Sequence, residues 1–204
     1  QCITAFNTTR NLFFLFAGGE ETRLGEESNL LGVFTQYAVT GQSDTSITLE
    51  GAAGPWAVKR TLTLVPDAAV LDIRVDLTNT TGTPQEAAVR SHLELELGEL
   101  TETRVQFTNR AGARVERTMA PIIAGLREGE HYTAQNVPAG EWRFTGTKGI
   151  EVTQRFDEES TDFTWLYAYP EDLNTLDVEV WRKPVSVGPG ETVTFSHTLE
   201  VGSM

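Results

Sequence analysis

The chain holds a single cysteine, Cys2, in 204 residues, so no disulfide can form within it. Export is neither required nor excluded on that ground, although an extracellular or periplasmic setting is favoured over the cytoplasm. Basic residues are scarce: 16 Lys and Arg stand against 29 Asp and Glu, a net charge of −13. Such an acidic chain lacks the basic footprint that phosphate contacts need, which excludes nucleic acid and disfavours an anionic membrane surface. No apolar run approaches the ~20 residues that span a bilayer. The densest patch, Leu12–Phe16, is far too short. A basic segment followed by an apolar core is missing, as is an initiator methionine, so the chain reads as a mature or excised domain. There is no glycine-rich phosphate loop, no serine-centred nucleophile elbow, no internal repeat and no amphipathic helix pattern.

What the sequence does have is alternation. From Arg60 to Glu99 it reads as three antiparallel strands joined by two turns, a meander. Leu62 and Leu64 alternate with threonines, and Leu71, Ile73, Val75 and Leu77 alternate with Asp72, Arg74, Asp76 and Thr78. A period of two gives one apolar and one wet face. Pro66-Asp67-Ala68-Ala69 and Asn79-Thr80-Thr81-Gly82-Thr83-Pro84 are the turns. The Asn7 and Asn79 glycosylation sequons are read as turn chemistry. The third strand, Ala87–Leu97, sets Val89, Leu93, Leu95 and Leu97 against His92, Glu94 and Glu96.

Further strands are expected at Gln1–Arg10, Asn11–Ala17, Leu30–Val39, Ser46–Glu50 and Trp56–Leu64, then at Arg104–Thr108, Ala113–Arg117 and Gly140–Gly146. Gly149–Phe156, Phe163–Tyr169, Thr175–Trp181 and Thr192–Val201 complete the set. Gly18–Ser28 reads as a polar, acidic loop, and Met119–Thr133 as loop with a short helix. Many short strands with Gly and Pro turns predict an all-β, antiparallel sandwich. No linker-like shift in composition divides residues 1–204, so one domain is expected.

Four features, taken in order, carry a resemblance. They are LDIRVDLTN (71–79) ending in an Asn-Thr turn, RSHLE (90–94), TLDVEVW (175–181), and the closing GPGETVTFSHTLEV (188–201). Together they resemble the galactose mutarotase-like superfamily, the β-supersandwich of aldose epimerases and of accessory domains in glycoside hydrolases. The resemblance implies a supersandwich fold and a carbohydrate partner, with a catalytic domain elsewhere in the parent chain if the role is accessory. It also implies that His92 stands where the epimerases place a general acid, and Glu179 where they place a general base. Their chemistry opens a hemiacetal ring: a base takes the anomeric proton while an acid protonates the ring oxygen. The epimerases surround that histidine with an Asn-His-x-Tyr-Phe-Asn type of segment and carry an earlier histidine beside glycines. Here the segment is RSHLELELG, and no histidine precedes Trp56. An accessory or divergent member fits this pattern better than a working epimerase.

Each candidate has a plain alternative. His92 shares the polar face with Glu94 and Glu96, and Glu179 shares one with Asp177 and Trp181. Either is a ligand contact or a solvated strand residue. Arg90 is a binder of sugar hydroxyls or carboxylates, or half of a cross-strand ion pair. Trp142, Trp165, Trp181 and Tyr167 are sugar platforms or core residues, with Trp181 the one most expected to be exposed. Asp157–Asp162 reads as a solvated turn, and His131 and His197 show no metal-ligand spacing, so neither metal nor cofactor is expected. The leading reading is a sugar-binding domain or glycoside hydrolase accessory domain. Alternatives are a divergent aldose 1-epimerase and a structural or protein-binding immunoglobulin-like sandwich. The last needs ~7 strands in ~100 residues, about half of this chain.

Overall fold

The computed structural model describes residues 19–24, 37–124, 130–169 and 175–203. In chain order the strands are β1 (Gly19–Leu24), β2 (Ala38–Gln42), β3 (Ser46–Ala53), β4 (Trp56–Leu64), β5 (Val70–Asn79), β6 (Gln85–Ala87), β7 (Val89–Leu95) and β8 (Arg104–Thr108). They continue with β9 (Arg114–Thr118), β10 (Glu130–Tyr132), β11 (Glu141–Thr145), β12 (Ile150–Phe156), β13 (Thr161–Tyr169), β14 (Thr175–Arg182), β15 (Val185–Val187) and β16 (Thr192–Ser203). A nine-stranded sheet runs β2-β3-β4-β5-β16-β12-β11-β8-β9, and a five-stranded sheet runs β1-β7-β14-β13-β10. All pairings are antiparallel. This is the expected all-β sandwich, and its strand number exceeds that of an immunoglobulin-like domain.

The core lies between the two sheets. Leu93, Leu95, Leu166, Leu176, Val178 and Val180 of the small sheet bury against Leu62, Ile73, Trp142, Phe144, Phe156 and Leu199 of the large one. A second cluster, including Trp56, Val58, Val75, Leu77, Val89 and Phe195, fills the other end. One polar chain crosses between the layers: Trp142 Nε1 donates to Gln154 Oε1 (2.7 Å), and Gln154 Nε2 donates to Ser91 Oγ (3.0 Å). Paired in this way, the buried amide and hydroxyl carry little desolvation cost.

The predicted meander is corrected. β4 and β5 form the expected hairpin, but β7 does not return to β5. It leaves for the small sheet. The neighbours β5 and β16 both continue across the gap as a two-stranded ribbon, β6 with β15, and re-emerge as the neighbours β7 and β14. Asn79, fully buried, pins the departure. Its Nδ2 donates to Thr83 O (2.8 Å) and Val187 O (2.9 Å), and its Oδ1 accepts from Thr81 N and Oγ1. The Asn-Thr segment therefore changes sheets where a hairpin within one sheet was expected.

Gly18–Ser28 is corrected in part: Gly19–Leu24 pairs with β7, at the end of the sheet among the described residues. GEETRL shows no apolar alternation, so only backbone pairing marks it as a strand. Met119–Thr133 contains the short helix Ala120–Ala124 and β10. The strands expected at Gln1–Arg10 and Asn11–Ala17, and residues 30–36 of Leu30–Val39, lie outside the described residues.

Candidate functional site

On β7 and β14 every residue is buried on both faces. Inward face the aliphatics of the core. On the face turned from the core, Arg90, His92 and Glu94 of β7 stand in register with Trp181, Glu179 and Asp177 of β14. On the next strand, β13, Phe163, Trp165 and Tyr167 stand opposite Trp181, Glu179 and Asp177. Thus period-two spacing on three adjacent strands gathers nine charged and aromatic side chains on one face.

Glu179 is the centre. Its Oε1 lies 2.9 Å from His92 Nδ1, Arg90 Nη1 lies 2.8 Å from Oε1 and 2.9 Å from Oε2, and Trp181 Nε1 donates to Oε2 at 2.7 Å. Burial alone would raise this carboxyl, but the hydrogen bond from His92, the Arg90 guanidinium and the Trp181 N–H hold it below the usual carboxylate value. On its other side, His92 Nε2 faces Asp177 Oδ1 at 3.2 Å and Glu94 Oε1 at 3.6 Å. Exposure is 2% for His92, 6% for Glu94 and Asp177, and 5% for Glu179. His92, Asp177 and Glu179 each offer a donor atom within 4.8 Å of the others, a spacing that fits a shared cation.

An aromatic patch flanks the charges. Phe163 stacks on Trp181 (4.9 Å, 21°), and Arg90 lies 4.6 Å over the Trp181 ring. The exposed His131 of β10 meets Trp165 edge-on at 4.4 Å. Phe163, Trp165 and Tyr167 are half-buried.

The structure therefore brings together Arg90, His92, Glu179, Trp165, Trp181 and Tyr167. It does not bring Trp142, which is fully buried between the sheets and packs on Phe144 and Phe156. Trp142 is a core residue, not a sugar platform. Trp181, expected to be exposed, is 9% exposed because Phe163 and Arg90 cover its two sides. His92 and Glu179 are not solvated strand residues, since each neutral or charged head is met by a partner from the adjacent strand. Sequence reasoning passed over Glu94, Asp177, His131 and Phe163 as site residues. Glu94 and Asp177 carried a usable signal, standing two residues from His92 and Glu179 and hence on the same face.

No protein-family model matches the sequence, and no curated protein does. Solved structures do match. Slr1438 from Synechocystis sp. PCC 6803 superposes with a TM-score of 0.66 at 11% identity, over 86% of this chain and 68% of that one. A galactose mutarotase related enzyme from Lactobacillus acidophilus gives 0.61 at 13%, over 82% and 71%. The aldose epimerase homologue from C. elegans gives 0.60 at 16%, over 82% and 69%. The chain has the galactose mutarotase-like fold.

Proposed function

We propose that the chain is a carbohydrate-associated domain that holds a sugar against the outer face of its five-stranded sheet. Fold alone does not carry function. The observation that carries the reading is the in-register row of charged and aromatic side chains on that face. Aromatic rings meet the apolar face of a pyranose, and charged heads meet its hydroxyls. Trp165 and Phe163, half-buried beside His131, supply the rings. The exposed His131 and the half-buried Tyr167 supply polar groups next to them. Sugar-related names among the fold's neighbours support the same class of ligand.

The geometry favours binding over epimerisation. An acid and a base that open a ring must flank the sugar. Here His92 and Glu179 are bonded to each other at 2.9 Å, and Glu179 also holds Arg90 and Trp181. The pair is committed within the protein, with no room between the two for a pyranose. A role accessory to a glycoside hydrolase belongs to this reading.

The test is an NMR titration against mono- and oligosaccharides, with anomeric exchange of glucose and galactose followed in the same samples. Shifts at Trp165 and Trp181 without faster exchange are expected, and Trp165→Ala should weaken binding about tenfold, a stacking loss of roughly 1–2 kcal/mol. Accelerated exchange abolished by Glu179→Gln would establish the epimerase instead. No shift with any sugar would overturn the reading in favour of a structural or protein-binding sandwich.

A further inference from the structure

The described residues leave one arrangement that sugar binding does not account for. Both oxygens of Glu179 are occupied by Arg90, His92 and Trp181. Glu179 accepts from His92 Nδ1, so in the neutral imidazole the Nε2 carries the lone pair. That lone pair faces two more acceptors, Asp177 Oδ1 at 3.2 Å and Glu94 Oε1 at 3.6 Å. Independently, Glu94 is 6% exposed, and its Oε2 meets no hydrogen-bond partner among the described residues. These five side chains hold three carboxyls against one guanidinium and one imidazole. Burying such an excess costs several kcal/mol per ion unless a positive species is shared.

Distance indicates the species. Zinc–nitrogen and zinc–oxygen bonds are about 2.0–2.2 Å, and bonds of that length at near-tetrahedral angles place neighbouring donor atoms about 3.1–3.6 Å apart. The two contacts of His92 Nε2, 3.2 and 3.6 Å, fall there. Imidazole selects a transition metal over magnesium or calcium. Metal-bound histidines commonly donate their other N–H to a carboxylate, which fixes tautomer and ring orientation. Glu179 makes that contact.

We propose that His92 Nε2, Asp177 and Glu94 form a binding site for a divalent transition-metal ion of the zinc kind, with Glu179 holding His92 from behind. The sequence reading had expected no metal. Three protein donors leave a fourth position for a solvent or ligand oxygen. The inference does not rest on the sugar reading, because it is argued from donor spacing, buried charge and the unpartnered Glu94 oxygen.

The experiment uses the whole chain, stripped with a chelator and titrated with cobalt(II) chloride while its visible absorption is followed, without sugar. Saturation at one equivalent is expected, with displacement by zinc chloride. Glu94→Gln and Asp177→Asn, both nearly isosteric, should each weaken cobalt binding at least tenfold. Zinc should raise the melting temperature of the parent chain and not that of the two variants. A measurement free of any folding concern is the nitrogen-15 spectrum of His92 in the parent chain. A proton on Nδ1 alone, with Nε2 shifting on zinc addition, supports the site. Two protonated nitrogens unmoved by zinc overturn it, and so does cobalt binding that both variants retain, or no binding at all.

Discussion

Glu179 shows what a single residue contributes to this face. Its carboxylate serves a guanidinium, an imidazole and an indole, each buried. Glu179→Ala removes the acceptor and leaves those groups in place. Breaking a buried pair in this way costs about 3–5 kcal/mol, and a urea denaturation midpoint should fall accordingly. His197 carries a second prediction. It is buried, and that burial, together with the charges of Arg60 and Arg182, pushes its imidazole down to about 3. The unfolded chain titrates near 6.5. Between those values the unfolded state takes up a proton that the native state refuses, so stability is full above pH 6.5 and falls as pH drops toward 3. The slope is roughly 1.4 kcal/mol per pH unit once below about pH 6. Melting temperatures of the parent and of His197→Gln, measured from pH 7 to 4, should diverge in their slopes. Gly146 supplies a third. A Cβ there would collide with the carbonyl oxygen and Cβ of Leu97, whereas one at Gly82 would meet nothing within 4 Å. Gly146→Ala should cost about 2–3 kcal/mol in chemical denaturation and Gly82→Ala almost nothing.

Among the elements, the crossing at Asn79 is the most sensitive. Its amide replaces backbone partners on both sides of the gap between sheets. Asn79→Ala strands the buried Val187 carbonyl and should cost about 2–3 kcal/mol, with faster amide exchange in β6 and β15 than elsewhere in the sandwich. Alternation of Leu, Ile and Val made β4, β5, β14 and β16 legible from the sequence, since one face of each meets the core. The same alternation misplaced β7. Its period of two was visible, but nothing in RSHLELELG says which sheet it joins, because the choice rests on pairing with residues far along the chain. Burial of its charged face was equally hidden. His92 and Glu94 look like a wet face until β14 supplies Glu179 and Asp177 opposite them. β1 was missed because GEETRL has no apolar side, and only backbone pairing with β7 defines it. The resemblance singled out His92 and Glu179 as an acid and a base flanking a sugar, whereas their direct contact, and the place of Glu94 and Asp177 beside them, needed the register.

For the whole molecule, the two sheets differ in purpose. The nine-stranded sheet carries solvated ion pairs on its outer side, such as Arg155 with Glu141 (2.8 Å) and Glu200 (2.6 Å). Exposed pairs of this kind stabilise by less than about 1 kcal/mol each, so that side tolerates change. The five-stranded sheet is buried at its centre on both faces. Native-state amide exchange should accordingly be slowest in β14, β7, β5 and β16, which lie inside the sheets, and fastest in β2, β9 and β10 at the edges. Uniform exchange rates across edges and centres would contradict this layering.

The ribbon of β6 and β15 ties the two sheets with three pairs, Val185 to Ala87, Ser186 to Glu86 and Val187 to Gln85. Because only Ala88 separates β6 from β7, and residues 183–184 separate β14 from β15, its alignment is inherited by His92 and Glu179. Loss or gain of one residue at Ala88, or in 183–184, would turn one strand of the site over and present its aliphatic side where its ionisable side belongs. Most linkers on a sandwich absorb insertions as harmless length variation. These two short spans instead act as a reading frame for the site, so a change in their length is a change in its chemistry.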